Sequence, residues 1–338
     1  MKTTTVTFTA KEKVEYIDAE VPELKENEIL VRTIRTLIST GTELTIFAGK
    51  HTNALLGKSG AWGTFPFDSG YTNVGKIIKT GKAVTGLKEG DRVLSTGCNT
   101  TFAKVAETAA VKIPDNVNNE EALFTMIANI VFPGIRQSAI SVGDNAVVVG
   151  LGLLGQLALQ FFRINGAMPA IGVDVSDYRL DLARKMGAET LINSSKADML
   201  EEVKKLTEGR GADVAVELTG VPKLFAPVCA LARTGGKVIL LSSPHGSVEL
   251  DLYTVIHQRC LNVIGIGIVG ASVPKMEELY SRWTNSNAKG FIMKLIGEKK
   301  LKVNEMISHR YNWKKAHEAY AMLLKDRGSA MGVILEWE

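Results

Sequence analysis

The rhythm of apolar and polar positions changes near residue 115. Before that point the chain reads as short strands separated by turns. Ile29 to Ile34 alternates loosely between apolar and polar, and Val74 to Thr80 and Arg92 to Ser95 are further strand candidates. Gly70, Gly75, Gly81, Gly86 and Gly90 punctuate them, which predicts a compact, barrel-like β domain. Beyond Pro114-Asp115, Asn119 to Gln137 is apolar at helical spacing, with a bend or break predicted at Pro133-Gly134. From Asn145 onward, strand and helix patterns alternate. Strands are predicted at Ala146–Val149, Ala170–Val173, Val214–Glu217, Val238–Leu241 and Asn262–Ile266. Helices are predicted at Leu153–Ile164, Tyr178–Met186, Asp198–Thr207 and Phe225–Leu231. Continuously apolar strands between helices imply a parallel sheet covered on both faces. The tail adds helices near Lys275–Trp283 and Trp313–Lys325 and a strand at Met331–Trp337.

Composition narrows the class. The 338 residues are 45% hydrophobic and 22% charged, which is globular and long enough for two domains. The 32 glycines show no three-residue period, so they belong in turns and not in a collagen-like helix. A net charge of +4 without a Lys/Arg run gives no footprint for nucleic acid. Cys98, Cys229 and Cys260 are too few and too dispersed for a disulfide framework or a four-thiolate zinc site. The N-terminus lacks an apolar signal core, and the apolar stretch Ala146–Phe162 is broken by three glycines and Gln156. These features predict a soluble cytoplasmic protein without a membrane partner.

The chemistry is concentrated after the strand at Ala146–Val149. Gly150-Leu151-Gly152-Leu153-Leu154-Gly155 is a G-x-G-x-x-G run between a strand and a helix, and the next strand ends in Asp174, 24 residues after Gly150. This is the pattern of a dinucleotide site. Gly150 permits the tight turn, Gly152 lets a pyrophosphate approach the backbone, and Gly155 lets helix pack on strand. Leu153 and Leu154 offer N–H groups at the positive end of the helix dipole. Asp174 is placed to accept hydrogen bonds from a ribose diol and to repel a 2′-phosphate, which predicts NAD(H) over NADP(H). Arg179 is the counter-signal, since an arginine there can hold a 2′-phosphate.

Five motifs carry a resemblance along nearly the whole chain: Ile38-Ser39-Thr40-Gly41-Thr42-Glu43, the glycine loop, Val173-Asp174-Val175-Ser176, Glu217-Leu218-Thr219-Gly220 and Gly236-Lys237-Val238-Ile239-Leu240-Leu241. The chain resembles the medium-chain dehydrogenase/reductases of the zinc alcohol and polyol type. The resemblance implies an α/β fold with a GroES-like β-barrel catalytic domain over residues 1–126. A Rossmann doubly wound parallel sheet would follow over 127–267, and residues 268–338 would return to the catalytic domain. It also implies a homodimer through the edge strand near Asn262–Ile266, or a homotetramer. The metal positions depart from the family pattern. Thr40, Tyr71 and Met126 stand where the zinc ligands are expected, and the four-cysteine lobe is absent, so no metal is expected.

Without zinc, side-chain donors must hold the developing charge and move a proton. Tyr71, at a ligand position, is expected to donate to the substrate oxygen, or else only to fill the vacated pocket. Thr42 matches the family's relay hydroxyl, or caps a turn. Glu43 orients these groups, or pairs with an arginine or lysine. His51 connects to solvent, or is an ordinary loop histidine. The resemblance further implies that Thr219 approaches the coenzyme riboses, and that Leu241, Ser242 and Ser243 with Ile266 and Ile268 border the nicotinamide. The insert from Ala48 to Asp68, with Trp62, Phe65 and Phe67, either lines the substrate pocket or forms a satellite apolar cluster. The resulting expectation is a zinc-independent, NAD-dependent oxidoreductase acting on a secondary alcohol or ketone of polyol, sugar-derived or cyclic type, bound between the two domains. The alternatives are a reductase of activated C=C bonds and a dinucleotide-binding protein without catalysis.

Overall fold

The computed structural model describes residues 1–267, 283–326 and 328–338. The chain forms two compact units, one of Met1–Met126, Lys289–Lys299 and Met306–Glu338, the other of Ile127–Ala288 and Lys300–Glu305.

The first unit contains β1 (Lys2–Ala10), β2 (Lys13–Glu20), β3 (Glu28–Ile38), α1 (Thr42–Phe47), α2 (Thr52–Leu55), β4 (Phe67–Asp68), β5 (Asn73–Thr80), β6 (Arg92–Ser95), β7 (Phe102–Ala106) and β8 (Ala110–Lys112). Helix α3 (Asn119–Ser138) begins in it. β1 lies between β2 and β4 in a small antiparallel sheet, and Val6 and Phe8 point from it into the core. The larger sheet runs β3-β5-β6-β8, with β7 also on β3. Two late strands of the chain join at β3, Ile307–Asn312 and Gly332–Glu336, the latter hydrogen-bonded to β3. Rings of Phe8, Phe47 and Tyr320 meet at centroid distances of 4.8 to 5.4 Å. This aromatic cluster carries the Tyr320 hydroxyl into the interior, and it ties the helix Ala316–Lys325 to α1.

The second unit is a six-stranded parallel sheet. In chain order it contains β9 (Ala146–Val149), α4 (Leu153–Ile164), β10 (Ala170–Asp174), α5 (Asp177–Lys185), β11 (Thr190–Asn193), α6 (Met199–Leu206), β12 (Ala212–Glu217), α7 (Phe225–Leu231), β13 (Ala232–Leu240) and β14 (Asn262–Gly265). The strand order is β11-β10-β9-β12-β13-β14. Every residue of β9 is buried, which is why it is uninterruptedly apolar. The order reverses between β9 and β12, and Val149 pairs in register with Val173 on one side and Glu217 on the other. Ligands of such sheets bind at that reversal, beyond the carboxyl ends of the strands.

The local patterns fix most elements to within a few residues, with instructive exceptions. The predicted break at Pro133-Gly134 does not occur: α3 runs through Pro133 to Ser138. An interior proline costs about 3 kcal/mol. Burial of Val131, Phe132 and Ile135 outweighs this, at about 1.5–3 kcal/mol each. Strand β11 and the helix Asn285–Gly297 have no counterpart in the sequence pattern, because the first is short and half polar and the second is rich in Asn, Gly and Lys. The helix predicted near Lys275–Trp283 falls on residues that, except for Trp283, lie outside the described ones. Among the described residues no helix is long and apolar enough to cross a membrane.

Candidate active site

Chemistry in the first unit is built where β3 ends and α1 begins. The two are joined by Ser39-Thr40-Gly41, which brings Glu43 back over Ser39. The Glu43 N–H donates to the Ser39 carbonyl at 3.1 Å, and the Ser39 N–H donates to Glu43 Oε1 at 2.8 Å. Glu43 Oε2 accepts the Tyr320 hydroxyl at 2.5 Å. Asn99 Nδ2 donates to the Tyr320 oxygen and to Ser69 Oγ, both at 3.0 Å. Glu43 is 1% exposed. Burial pushes its carboxyl up to about 7, against partial opposition from the hydrogen bonds of Tyr320, Ser39, Gly70 and Asn99. Glu43 is held on the Ser39 backbone and Tyr320, and the partners are neutral donors instead of an arginine or lysine.

Tyr71 donates its phenolic hydrogen to Ser39 Oγ at 2.7 Å and is also hydrogen-bonded by the Thr42 side chain. Burial, and then the Glu43 charge, push its phenol up to about 12. Tyr71 is therefore a neutral hydroxyl near pH 7 and not a phenolate base. The three side chains form a run from Thr42 through Tyr71 to Ser39. Burial likewise raises the neighbouring Cys98 thiol to about 11, helped by the charges of Asp68 and Glu43, so no thiolate is available.

Thr42, Glu43 and Tyr71 thus meet as the sequence suggested, whereas His51 is used elsewhere. His51 caps α2, its Nδ1 accepting the Asn53 N–H at 3.3 Å. Its ring lies edge-on to Trp62 at 5.1 Å, and a Cβ on Gly63 would come within 2.5 Å of it. The aromatics of the insert divide: Phe65 and Phe67 pack on the core, while Trp62 is 54% exposed. Asn99 and Tyr320 carry no functional signal in the sequence, and Ser39 stands in a motif there without a role of its own. Tyr320 falls at core spacing with Ala316, Ala319 and Leu323, so nothing local marks its hydroxyl.

In the second unit the glycine loop has three distinct geometries. Gly150 adopts φ +96°, and a Cβ there would strike the Leu218 carbonyl carbon at 2.8 Å. Gly155 lies so close under the loop that a Cβ would fall 1.9 Å from the Gly150 oxygen. Around Gly152 a Cβ would meet nothing within 4 Å, and Gly152 precedes α4 without a side-chain cap for the first-turn N–H groups, those of Leu153 and Leu154 among them. That space fits a pyrophosphate. Asp174 accepts the Leu151 N–H on Oδ2 at 2.7 Å and the Ser176 N–H on Oδ1 at 2.9 Å, and Arg179 lies 3.5 Å from Oδ2. Gln156 Nε2 donates to the carbonyls of Leu151 and Arg179, locking loop to turn.

At the far side of the strand-order reversal, Thr219 and Ser242 converge on Glu217. Leu241 is 3% exposed and packs beside Gly134, so its side chain belongs to the core. Ser243 is exposed, and Ile266 continues alongside β13 through its N–H to the Leu240 carbonyl at 3.0 Å. Ile268 lies outside the described residues.

Residues 25–119 match the family described as "Alcohol dehydrogenase GroES-like domain", and residues 154–282 match "Zinc-binding dehydrogenase". The chain belongs to the medium-chain, zinc-type dehydrogenase superfamily. It is an oxidoreductase of the alcohol and polyol dehydrogenase family, dependent on a nicotinamide dinucleotide. This dehydrogenase is 28% identical to the L-threonine 3-dehydrogenase of Shewanella putrefaciens, over 97% of its own length and 98% of that protein. Its fold is similar to an oxidoreductase/dehydrogenase of unknown specificity from Escherichia coli, at TM-score 0.86, 19% identity and 99% coverage of both chains. It is also similar in fold to the galactitol-1-phosphate dehydrogenase of Escherichia coli, at TM-score 0.83, 20% identity and coverage of 99% and 100%.

Proposed function

We propose that this dehydrogenase moves a hydride between NAD(H) and a secondary alcohol or ketone without zinc, on a polyol, sugar-derived or cyclic substrate. The observation that carries the reading is the hydroxyl run Thr42–Tyr71–Ser39 beside a buried carboxyl group. The relatives' names point to the same substrate type, since threonine and galactitol-1-phosphate both carry a hydroxyl on an internal carbon. The zinc of the family does not fit the residues present. Thr40, Tyr71 and Met126 offer a hydroxyl, a phenol and a thioether, where zinc takes thiolate, imidazole or carboxylate. The Tyr71 phenol is raised to about 12, which opposes its deprotonation as a ligand. Among the described residues, no three His, Cys, Asp or Glu side chains group as metal ligands.

Bound NAD(H) supplies or takes the hydride; the protein's own groups manage the proton. Ser39 Oγ already accepts the Tyr71 hydrogen, so its own hydrogen is available to a substrate oxygen. As that oxygen gains charge, the Ser39 hydrogen moves onto it, the Tyr71 hydrogen follows to Ser39, that of Thr42 follows to Tyr71, and the partly exposed Thr42 hydroxyl is reprotonated from solvent water. Oxidation runs the same path backwards. Glu43 fixes the Ser39 backbone and Tyr320 fixes Glu43, so the run is preorganised. Support for NAD over NADP is the Asp174 carboxylate, held at the end of β10 by two backbone N–H groups where a 2′-phosphate would be repelled. Support for a homodimer is the position of β14 at the end of the strand order, with Asn262, Val263 and Gly265 exposed.

The test is NADH oxidation by the purified protein across panels of ketones and of enones, alongside metal analysis. Ketone-dependent turnover that survives chelation is expected. Turnover on enones alone transfers the protein to the C=C reductases. Loss of activity on chelation, restored by zinc, removes the metal-free reading.

A further inference from the structure

Glu217 ends β12, at the reversal of strand order, and is 1% exposed. Oε1 accepts the Thr219 N–H at 2.7 Å, the Gly220 N–H at 3.2 Å and the Thr219 hydroxyl. Oε2 accepts the Ser242 hydroxyl. Glu217 thus accepts four hydrogen bonds and donates none. The consequence is polarity at the two hydroxyls. Each has committed its single hydrogen to Glu217, so each oxygen presents only lone pairs to its other side. Thr219 Oγ1 uses a lone pair internally, accepting the Val221 N–H at 3.1 Å. Ser242 stands at the start of the loop after β13, is partly exposed, and turns its oxygen's lone pairs away from Glu217. A groove of about 170 Å³, lined by Glu217, Val221, Phe225, Leu240 and Pro244, lies at this edge of the sheet, next to Ser242 in the chain but not lined by it.

We propose that Glu217 is a positioning residue for the coenzyme: it makes Ser242 Oγ an obligate hydrogen-bond acceptor for a donor group on the nicotinamide riboside. That donor is the amide –NH2 or a ribose hydroxyl. The proposal rests on the nicotinamide dinucleotide and on the strand-order reversal as its seat. It depends neither on the absence of zinc nor on the choice between NAD and NADP.

Glu217→Gln sets an –NH2 where one carboxylate oxygen was. With Nε2 toward Ser242, that group donates to Ser242 Oγ, the Ser242 hydrogen turns outward, and the acceptor becomes a donor. The experiment is calorimetric titration of the whole protein with three probes: the oxidised coenzyme, its acetylpyridine analogue, in which a methyl group replaces the amide –NH2, and AMP. In E217Q the coenzyme is expected to bind about 10-fold more weakly, while AMP, held around Gly152 and Asp174, binds within about 2-fold of wild type. A loss confined to the coenzyme assigns the amide; a loss shared with the analogue assigns the ribose hydroxyl. Ser242→Ala removes the acceptor while leaving Glu217 in place, so it tests the same contact if E217Q fails to fold. It should show the same loss, and the double variant no further one. Unchanged coenzyme affinity in either single variant overturns the proposal. A wild type that binds AMP but not the coenzyme overturns it by a different route, because the nicotinamide end then has no seat at this edge.

Discussion

Glu43→Gln should remove a pH dependence of folding that the wild-type protein carries. The Glu43 carboxyl is raised by burial from 4.5 to about 7. The folded protein therefore holds this proton more tightly than the unfolded chain, so the group's contribution to stability is complete below about pH 4.5 and is lost as pH rises through about 7. Between pH 5 and pH 8 the loss integrates to about 2–3 kcal/mol. The glutamine side chain has nearly the same volume, keeps an acceptor for the Ser39 N–H and does not titrate. Urea unfolding of both proteins at several pH values gives the difference in stability directly, and groups common to both cancel. Wild type should lose about 2–3 kcal/mol relative to E43Q from pH 5 to pH 8. A difference that stays flat across that window, or grows in favour of wild type, refutes the reasoning. It would mean that the hydrogen bonds from Tyr320 and Ser39 offset the burial of the charge.

Three further outcomes test the site. The same one-methyl change separates packing from binding in the glycine loop. Gly155→Ala should destabilise the protein by about 3 kcal/mol or more in urea unfolding, because its methyl meets the Gly150 oxygen. Gly152→Ala should unfold like wild type yet bind NADH about 10-fold more weakly, since its methyl enters only open space. Asp174→Asn should shift the NADH-to-NADPH affinity ratio at least about 10-fold toward NADPH by removing the charge that repels a 2′-phosphate; an unchanged ratio in fluorescence titration argues against the ribose reading. On the best ketone found, Ser39→Ala should lower kcat about 100-fold or more and Tyr71→Phe less, with folded far-UV spectra; a Tyr71→Phe defect exceeding that of Ser39→Ala reverses their order in the relay.

Local sequence determined much of this protein. Strand β9 is continuously apolar because both its faces are covered, and two of the loop glycines answer local backbone demands, the φ of +96° at Gly150 and the Gly150 oxygen beside Gly155. Asp174 could be nominated as the ribose ligand because a βαβ unit has a nearly fixed length. Thr42, Glu43 and Tyr71 could be nominated because they occupy motif positions. Tertiary structure alone decided what those groups can do. Glu43 and Tyr320 are 277 residues apart in the chain, and no periodicity distinguishes a tyrosine that fills a core from one that also supplies a hydrogen bond there. The Tyr71 hydrogen is directed to Ser39 only because β3, α1 and the segment before β5 converge, and the proposed relay takes Ser39 as the donor to substrate for that reason. His51, equally plausible by type, became the cap of a short helix. Glu217 stood in a quoted motif without a role, since a carboxylate's effect on the hydroxyls around it depends on which hydrogens it receives. Hydrophobic period is a local property of the chain, whereas the direction of a hydrogen bond is fixed by partners that only folding brings within about 3 Å.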